Sequence, residues 1–149
     1  MLSIIEKVIS LQNVDVFAEI PSEQLSYLAV VAEELAFSAG ETAYKSDEPS
    51  DALYVVLKGS VRLHRGEEVI TVAKAGDPFG AWALFDDTPR VATATAVEDT
   101  NVLCIDRVDF LDILSDHVQI TEGVFKALVG RLRGLLDRVG TDLGPKASS

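Results

Sequence analysis

Apolar residues in the first part of the chain recur at helical spacing. Across residues 2–11, Ile4, Ile5, Val8, Ile9 and Leu11 favour one side, which predicts a short amphipathic helix. "NVDVFAEI" breaks that period and reads as an irregular link. "PSEQLSYLAVVAEEL" then opens with Pro21 at a helix entrance and Glu23 in the first turn. Its Leu25, Leu28, Ala29 and Ala32 form a second helical stripe.

From residue 33 onward the period changes. "LAFSAGETAYK", "DALYVVLKGSVRLHR", "EEVITVAKAG", "RVATATAVED" and "NVLCID" are short and rich in β-branched and aromatic residues. Gly40, Gly59, Gly66 and Gly76 punctuate them. "SVRLHRG" alternates, with Val61 and Leu63 inward and Arg62 and His64 outward. "RVATATAV" puts Ala92, Ala94 and Ala96 on one face. The pattern predicts a mainly β domain: an antiparallel β-roll or jelly roll of about eight strands, flanked by helices.

Helical spacing returns in "RVDFLDIL" and again from about Asp116 to Val139. In the longer stretch Val118, Thr121, Phe125, Leu128, Leu132, Leu135 and Val139 fall at steps of three and four. That is a heptad seam, expected to meet a second copy in a homodimer. Val124, Val129 and Leu136 form a second apolar edge, expected to rest on the roll. Gly123, Gly130 and Gly134 each cost a helix about 1 kcal/mol relative to alanine. Close approach of another backbone would account for them. The expected organisation is one domain over residues 1–149. Helices occupy 1–32, the roll 33–106 and C-terminal helices 107–140, with a frayed tail at 141–149.

Charge narrows the function. The net charge is −11, which excludes attraction of DNA, RNA or anionic lipid through a general surface field. Against that background Arg90 stands out. No stretch approaches the length of a membrane span. The apolar start is broken by Glu6 and Lys7 and is not a signal peptide. A cytoplasmic protein without membrane insertion is expected. The one cysteine, Cys104, reads as a small buried apolar residue. His64 and His117 are the two histidines, read as surface residues or a cap. No metal cluster, cofactor or nucleophile elbow is expected, and so no catalysis.

Candidate chemistry gathers in "GDPFGAWALFDDTPRVATA". Gly76 and Gly80 let backbone N–H groups converge, and a helix-like turn over Ala81–Phe85 offers N–H groups without internal partners. Arg90, in "TPRV", can reach back and pair two phosphate oxygens with its planar fork. Trp82 has two readings: an indole stacked on a ligand, or a core side chain standing where a leucine would fit.

The segments "FAEIPSEQLSYLA", "SAGETAYKSDEPSDALYVVLKGSVRLHR", "GDPFGAWALF" and "PRVATATAVEDTNVLCIDRVDF", in that order, resemble the cyclic-nucleotide-binding domain. The resemblance covers about Val14 to Val139. It implies a non-catalytic regulatory fold whose ligand is cyclic AMP or cyclic GMP. It also implies ligand contacts at Phe79, Gly80, Ala81, Trp82, Ala83, Arg90, Val91 and Ala92. One departure matters. The family's loop carries a glutamate for the ribose hydroxyl where this chain has Ala81, and the sequence shows no acid in its place, with Asp86 and Asp87 read as lying on the far side of the turn. Losing such a hydrogen bond weakens binding roughly tenfold to a hundredfold. On the long helix, which often caps the base, Leu132, Leu135 and Leu136 offer no polar contact; Arg131 and Arg133 are the candidates to stack on it. Family members that read DNA do so with a further domain beyond that helix, so no DNA contact is expected from this chain. A degenerate fold that dimerises or docks on a partner without nucleotide is the alternative.

Overall fold

The computed structural model describes residues 1–86 and 88–143, including every side chain in those ranges except Trp82 and residues 140–143. In chain order the elements are α1 (Ile4–Gln12), a 3-10 turn (Asp15–Phe17), α2 (Ser22–Val31), β1 (Glu33–Phe37), β2 (Thr42–Tyr44), β3 (Ala52–Lys58), β4 (Ser60–Arg65), β5 (Glu68–Lys74) and β6 (Pro78–Phe79). A second 3-10 turn (Ala81–Leu84), β7 (Thr93–Ala96), β8 (Thr100–Asp106), α3 (Arg107–Asp116) and α4 (Val118–Leu143) complete it.

Two four-stranded antiparallel sheets face each other, ordered β1-β8-β3-β6 and β2-β7-β4-β5. The run "ALYVVL" lacks alternation because β3 is covered on both faces. Ala52, Tyr54 and Val56 point between the sheets, toward Val61, Ala73, Phe79, Ala94 and Val102. Leu53 and Val55 point the other way, into a layer built from Leu11, Phe17, Leu25, Leu28, Phe110 and Ile120. A period of two assigns successive side chains to opposite faces, and here both faces are dry. β4 and β7 lie in the other sheet and keep the clean alternation: Ala92, Ala94 and Ala96 are all buried.

The structure corrects the N-terminal expectations. "NVDVFAEI" does link α1 to α2, but around a 3-10 turn whose Val14, Val16, Phe17 and Ile20 are buried in the helical layer. The apolar residues of a tight turn fill the space beneath α4 there. In α1 only Val8 and Leu11 are buried, whereas Ile4, Ile5 and Ile9 are exposed. One face of a nine-residue helix meets the domain, and the turn of 100° per residue carries Ile5 and Ile9 away from it. His64 lies on the outer face of β4 as expected, paired with Thr93, but is half-buried there. Its ring nitrogens lie 2.8 Å from Gly66 O and 2.8 Å from Thr95 Oγ1. A register shift between Leu63 and His64 leaves Ile70 as the extra residue of β5, and such a bulge re-aims side chains.

α4 rests chiefly on the first 3-10 turn, α2 and α3, through Ile120, Val124 and Ala127, and Ile120 and Val124 share a core with Leu53, Val55, Leu103 and Ile105 of the roll. It starts at Val118, after His117 closes α3 with its N–H to Ile113 O and stacks on Tyr27 at 3.9 Å. It runs to Leu143, past the expected end; residues 144–149 of the expected tail lie outside the described residues. Gly123 has the close neighbour its presence called for, but within this chain. A Cβ there would stand 2.7 Å from Ile20 Cγ1 and 3.1 Å from Glu19 O. Gly130 and Gly134 have nothing within 4 Å among the described residues.

Candidate ligand-binding site

Arg90 is anchored before its side chain is considered. Its N–H donates to Glu48 O at 2.8 Å, and its carbonyl accepts from Asp47 N–H at 2.8 Å. These bonds lace the segment after the loop to the turn before β3. The guanidinium then enters the sandwich and is only 6% exposed. Nη2 donates to Ala52 O at 2.7 Å and Nη1 to Gly80 O at 3.4 Å. Nε is buried without a partner, and no carboxylate of a described residue pairs with the group. Its Cζ stands 3.9 Å over the Tyr44 ring. Tyr44, Tyr54 and Phe79 form the aromatic floor, with Tyr54 and Phe79 stacked at 5.0 Å. Burial pushes the Tyr54 phenol up to about 12 and raises that of Tyr44, the nearby Arg90 pulling both the other way. Both rings are therefore neutral and present their π faces to the cation.

The glycine loop is fixed from beneath. Gly76 N–H donates to Val56 O at 2.8 Å, Val56 N–H to Asp77 O at 2.9 Å, and Lys74 N–H to Asp77 Oδ2 at 2.9 Å. The two residues of β6 pair with Tyr54 and Val55; this short strand has no sequence signal. At Gly80 the chain adopts φ 75°, and a Cβ would stand 2.5 Å from Arg90 Nη1 and 3.2 Å from Ala52 O. Glycine is the residue that both demands allow. The second 3-10 turn begins directly after it, with Ala83 N–H donating to Gly80 O at 3.1 Å. The Ala81 N–H precedes that bond at the electropositive end of the turn.

In front of the loop lies a cavity of about 390 Å³. Of the eight ligand contacts implied by the sequence, Gly80, Ala83, Arg90, Val91 and Ala92 line it. Phe79 is buried beside the guanidinium. Ala81 does not line it. Residues of a 3-10 turn step round by about a third of a circle each, and Ala81 packs instead against the helical layer. With Phe79 and Gly80 it borders a second cavity of about 270 Å³ behind the loop, shared with Asp15, Phe85 and Arg131. The Trp82 side chain and Asp87 lie outside the described residues, so neither reading of the indole is decided. Asp86 is a correction: it lines the front cavity, where its carboxylate accepts from Thr88 N–H and Oγ1 at 3.0 and 2.6 Å. Thr88, Pro89 and Arg90 line the same cavity, so this acid is near the site and not on the far side.

Sequence reasoning missed Tyr44, Ser50, Leu63 and Ile70, all of which line the front cavity. Tyr44 and Ser50 come from distant segments with no motif of their own, and Ile70 arrives through the bulge. The front cavity lacks Leu132, Leu135, Leu136, Arg131 and Arg133.

The expected seam of α4 is divided. Val118, Phe125, Leu132, Leu135 and Val139 are exposed, each by more than half. Thr121 is not part of an open seam, because its hydroxyl donates to Leu114 O at 3.1 Å and ties α4 to α3. Leu128 is half-buried against the helical layer. Cys104 is half-buried, and burial raises its thiol to about 11. Among the described residues no group of His, Cys, Asp and Glu is placed to hold a metal, and no helix is long and apolar enough to cross a membrane.

Comparison with known proteins bears on this geometry. Residues 34–117 match the model of the cyclic nucleotide-binding domain. A CRP-like cAMP-activated global transcriptional regulator of Mycobacterium tuberculosis is 27% identical over 142 residues, covering 89% of this chain and 63% of that protein. A lysophospholipase of Chaetomium globosum is 31% identical over 120 residues, covering 77% of this chain but 8% of the enzyme. The chain thus spans less than two thirds of the length of these relatives. The crystal structure of the N-terminal domain of a transcriptional regulator from Streptomyces coelicolor superposes with a TM-score of 0.78 at 29% identity, covering 85% of this chain and 92% of that one.

Proposed function

The chain belongs to the cyclic nucleotide-binding domain family, and from that premise we propose that it is a non-catalytic sensor for cyclic AMP or cyclic GMP. The phosphate sits beside Arg90 and Gly80, and the C-terminal helices carry the response. The observation that carries this reading is the guanidinium: 6% exposed, at the wall of a 390 Å³ cavity, and paired with no carboxylate among the described residues. Two carbonyls and an aromatic face offset part of its desolvation. An oxyanion in the cavity would complete the compensation. The name of the mycobacterial relative makes cyclic AMP the first ligand to test.

The signal route is short. Arg107 Nη1, at the start of α3, donates to Ala83 O at 3.3 Å. Phe85 meets Phe110 of α3 edge-on at 5.7 Å, and Phe110 meets Phe17 at 6.1 Å. A ligand that draws Gly80–Ala83 toward its phosphate therefore pulls on α3, and α4 moves with it. Two helix positions of different ligand affinity make this a switch.

Calorimetric titration with cyclic AMP and cyclic GMP tests the reading. The wild-type protein is expected to bind one of them, and Arg90→Ala to weaken that binding about a hundredfold or more. Unchanged affinity in Arg90→Ala would remove the phosphate assignment. A second reading is favoured by Ala81, where the resemblance implies a carboxylate, and by the exposed apolar stripe Phe125–Leu132–Leu135–Val139. In it the fold has lost its nucleotide and acts as a homodimerisation module through α4. No heat at millimolar nucleotide, with a dimer in sedimentation that Leu132→Glu dissociates, would select it.

A further inference from the structure

Ser50 is a buried polar side chain on the wall of the Arg90 cavity with no structural task. It is 6% exposed, it lines the 390 Å³ cavity, and its hydroxyl bonds to no described residue. The local path explains how it comes there. The backbone of Arg90 is tied to Asp47 and Glu48, and its side chain to Ala52 O at 2.7 Å. Ser50 lies between those two attachment points, so the segment that carries it is held against the arginine from both sides. The Thr88 hydroxyl on the same wall is occupied, donating to Asp86 Oδ1 at 2.6 Å. The rest of the wall, with Leu63, Ile70, Val91 and Ala92, is apolar.

Ser50 lines the cavity, and among the described residues only Arg90 Nε is fully buried without a partner, so the serine hydroxyl is open to the cavity and free to bond a ligand oxygen there. Resting on the reading of this cavity as a ligand site, we propose that Ser50 donates its hydroxyl hydrogen to the ligand's anionic oxygen beside the Arg90 guanidinium. The pair then defines the ligand class: an oxyanion carried on an apolar body. A hydrogen bond to a charged oxygen is the stronger kind, so removing this one should be visible in affinity while leaving the fold intact.

The test is calorimetric titration of the full chain with cyclic AMP and cyclic GMP, in wild type, Ser50→Ala and Arg90→Ala, with thermal unfolding of each. Ser50→Ala is expected to weaken binding about tenfold to a hundredfold with an unchanged unfolding midpoint. If Ser50→Ala does not fold, Ser50→Cys, close in size and a poor donor, is read the same way. Binding unchanged by Ser50→Ala but abolished by Arg90→Ala would overturn the serine's role and leave the pocket reading standing. If neither nucleotide binds wild type, the nucleotide reading fails, and inorganic phosphate followed by amide NMR decides the serine. Shifts at Ser50 and Gly80 that vanish in Ser50→Ala would uphold it; no shift, or the same shift in the variant, would overturn it.

Discussion

The two sides of the glycine loop differ in what they can do. In front, a cavity of about 390 Å³ combines apolar walls with a buried guanidinium. Behind, a smaller space of about 270 Å³ is bordered by the first 3-10 turn, Phe85 and Arg131. Gly80 belongs to both walls. The loop is thus a partition one residue thick between the place where an anion would bind and the layer on which α4 rests. A binding event need travel no distance to be read: displacing the partition enlarges one side at the expense of the other, and packed interiors do not absorb such changes smoothly.

The partition itself is the most sensitive place to break this arrangement. Gly80→Ala forces φ 75° on an L-residue and sets a methyl 2.5 Å from Arg90 Nη1. The strained backbone costs of order 1–3 kcal/mol, and the guanidinium must leave its position over Tyr44. The expected outcome is a lowered unfolding midpoint in urea together with loss of the calorimetric signal for cyclic nucleotide. Retention of both would mean that loop and arginine are not mechanically joined.

Behind the loop the corresponding close approach is Gly123 against Ile20. Gly123→Ala places a Cβ 2.7 Å from Ile20 Cγ1 and 3.1 Å from Glu19 O. The side chain can turn, but the carbonyl belongs to a backbone that cannot easily retreat. Overpacking typically costs about 1–3 kcal/mol, offset by about 1 kcal/mol of helix propensity. The protein should lose about 1 kcal/mol of stability in urea denaturation while its affinity for nucleotide changes by less than threefold. Front and back would then separate cleanly: one substitution removes binding and stability, the other stability alone. Gly130→Ala, with nothing within 4 Å among the described residues, is the control and should stabilise the monomeric helix.

How far the sequence reveals this depends on what each signal encodes. Alternation in "RVATATAV" identifies the buried faces of Ala92, Ala94 and Ala96, because an outer sheet has one wet face. It fails in "ALYVVL", where both faces are dry and composition alone marks the strand. Arg90 is legible because a cation that follows glycines and a proline in an acidic chain stands out against its surroundings. Tyr44 and Ser50 are not legible. Their place beside Arg90 is set by tertiary pairing between distant segments, and no local pattern encodes that. Helical spacing in α4 reports which residues share a face but not what covers it. Ile120, Val124 and Ala127 meet the domain; of the edge expected to face it, Val124 is buried but Val129 and Leu136 are exposed. Ala81 carries a further lesson. A motif position predicts a residue type, while the twist of a 3-10 turn decides which cavity that residue borders.

The finest cut in the partition is the link between loop and α3. Arg107 Nη1 reaches Ala83 O at 3.3 Å, a long bond whose net contribution lies at the low end of the usual 0.5–1.5 kcal/mol. Arg107→Ala leaves Arg90, Gly80 and the front cavity untouched, so nucleotide affinity should stay within about threefold of wild type. What should fall is the response. Amide resonances of α4 beyond Leu128, which shift on ligand addition if the helix moves, should shift less in the variant at saturation. The aromatic route through Phe85 and Phe110 persists, so the loss is partial. A full response in Arg107→Ala would assign transmission to the aromatic contacts alone, and the double variant with Phe110→Leu would then have to abolish it.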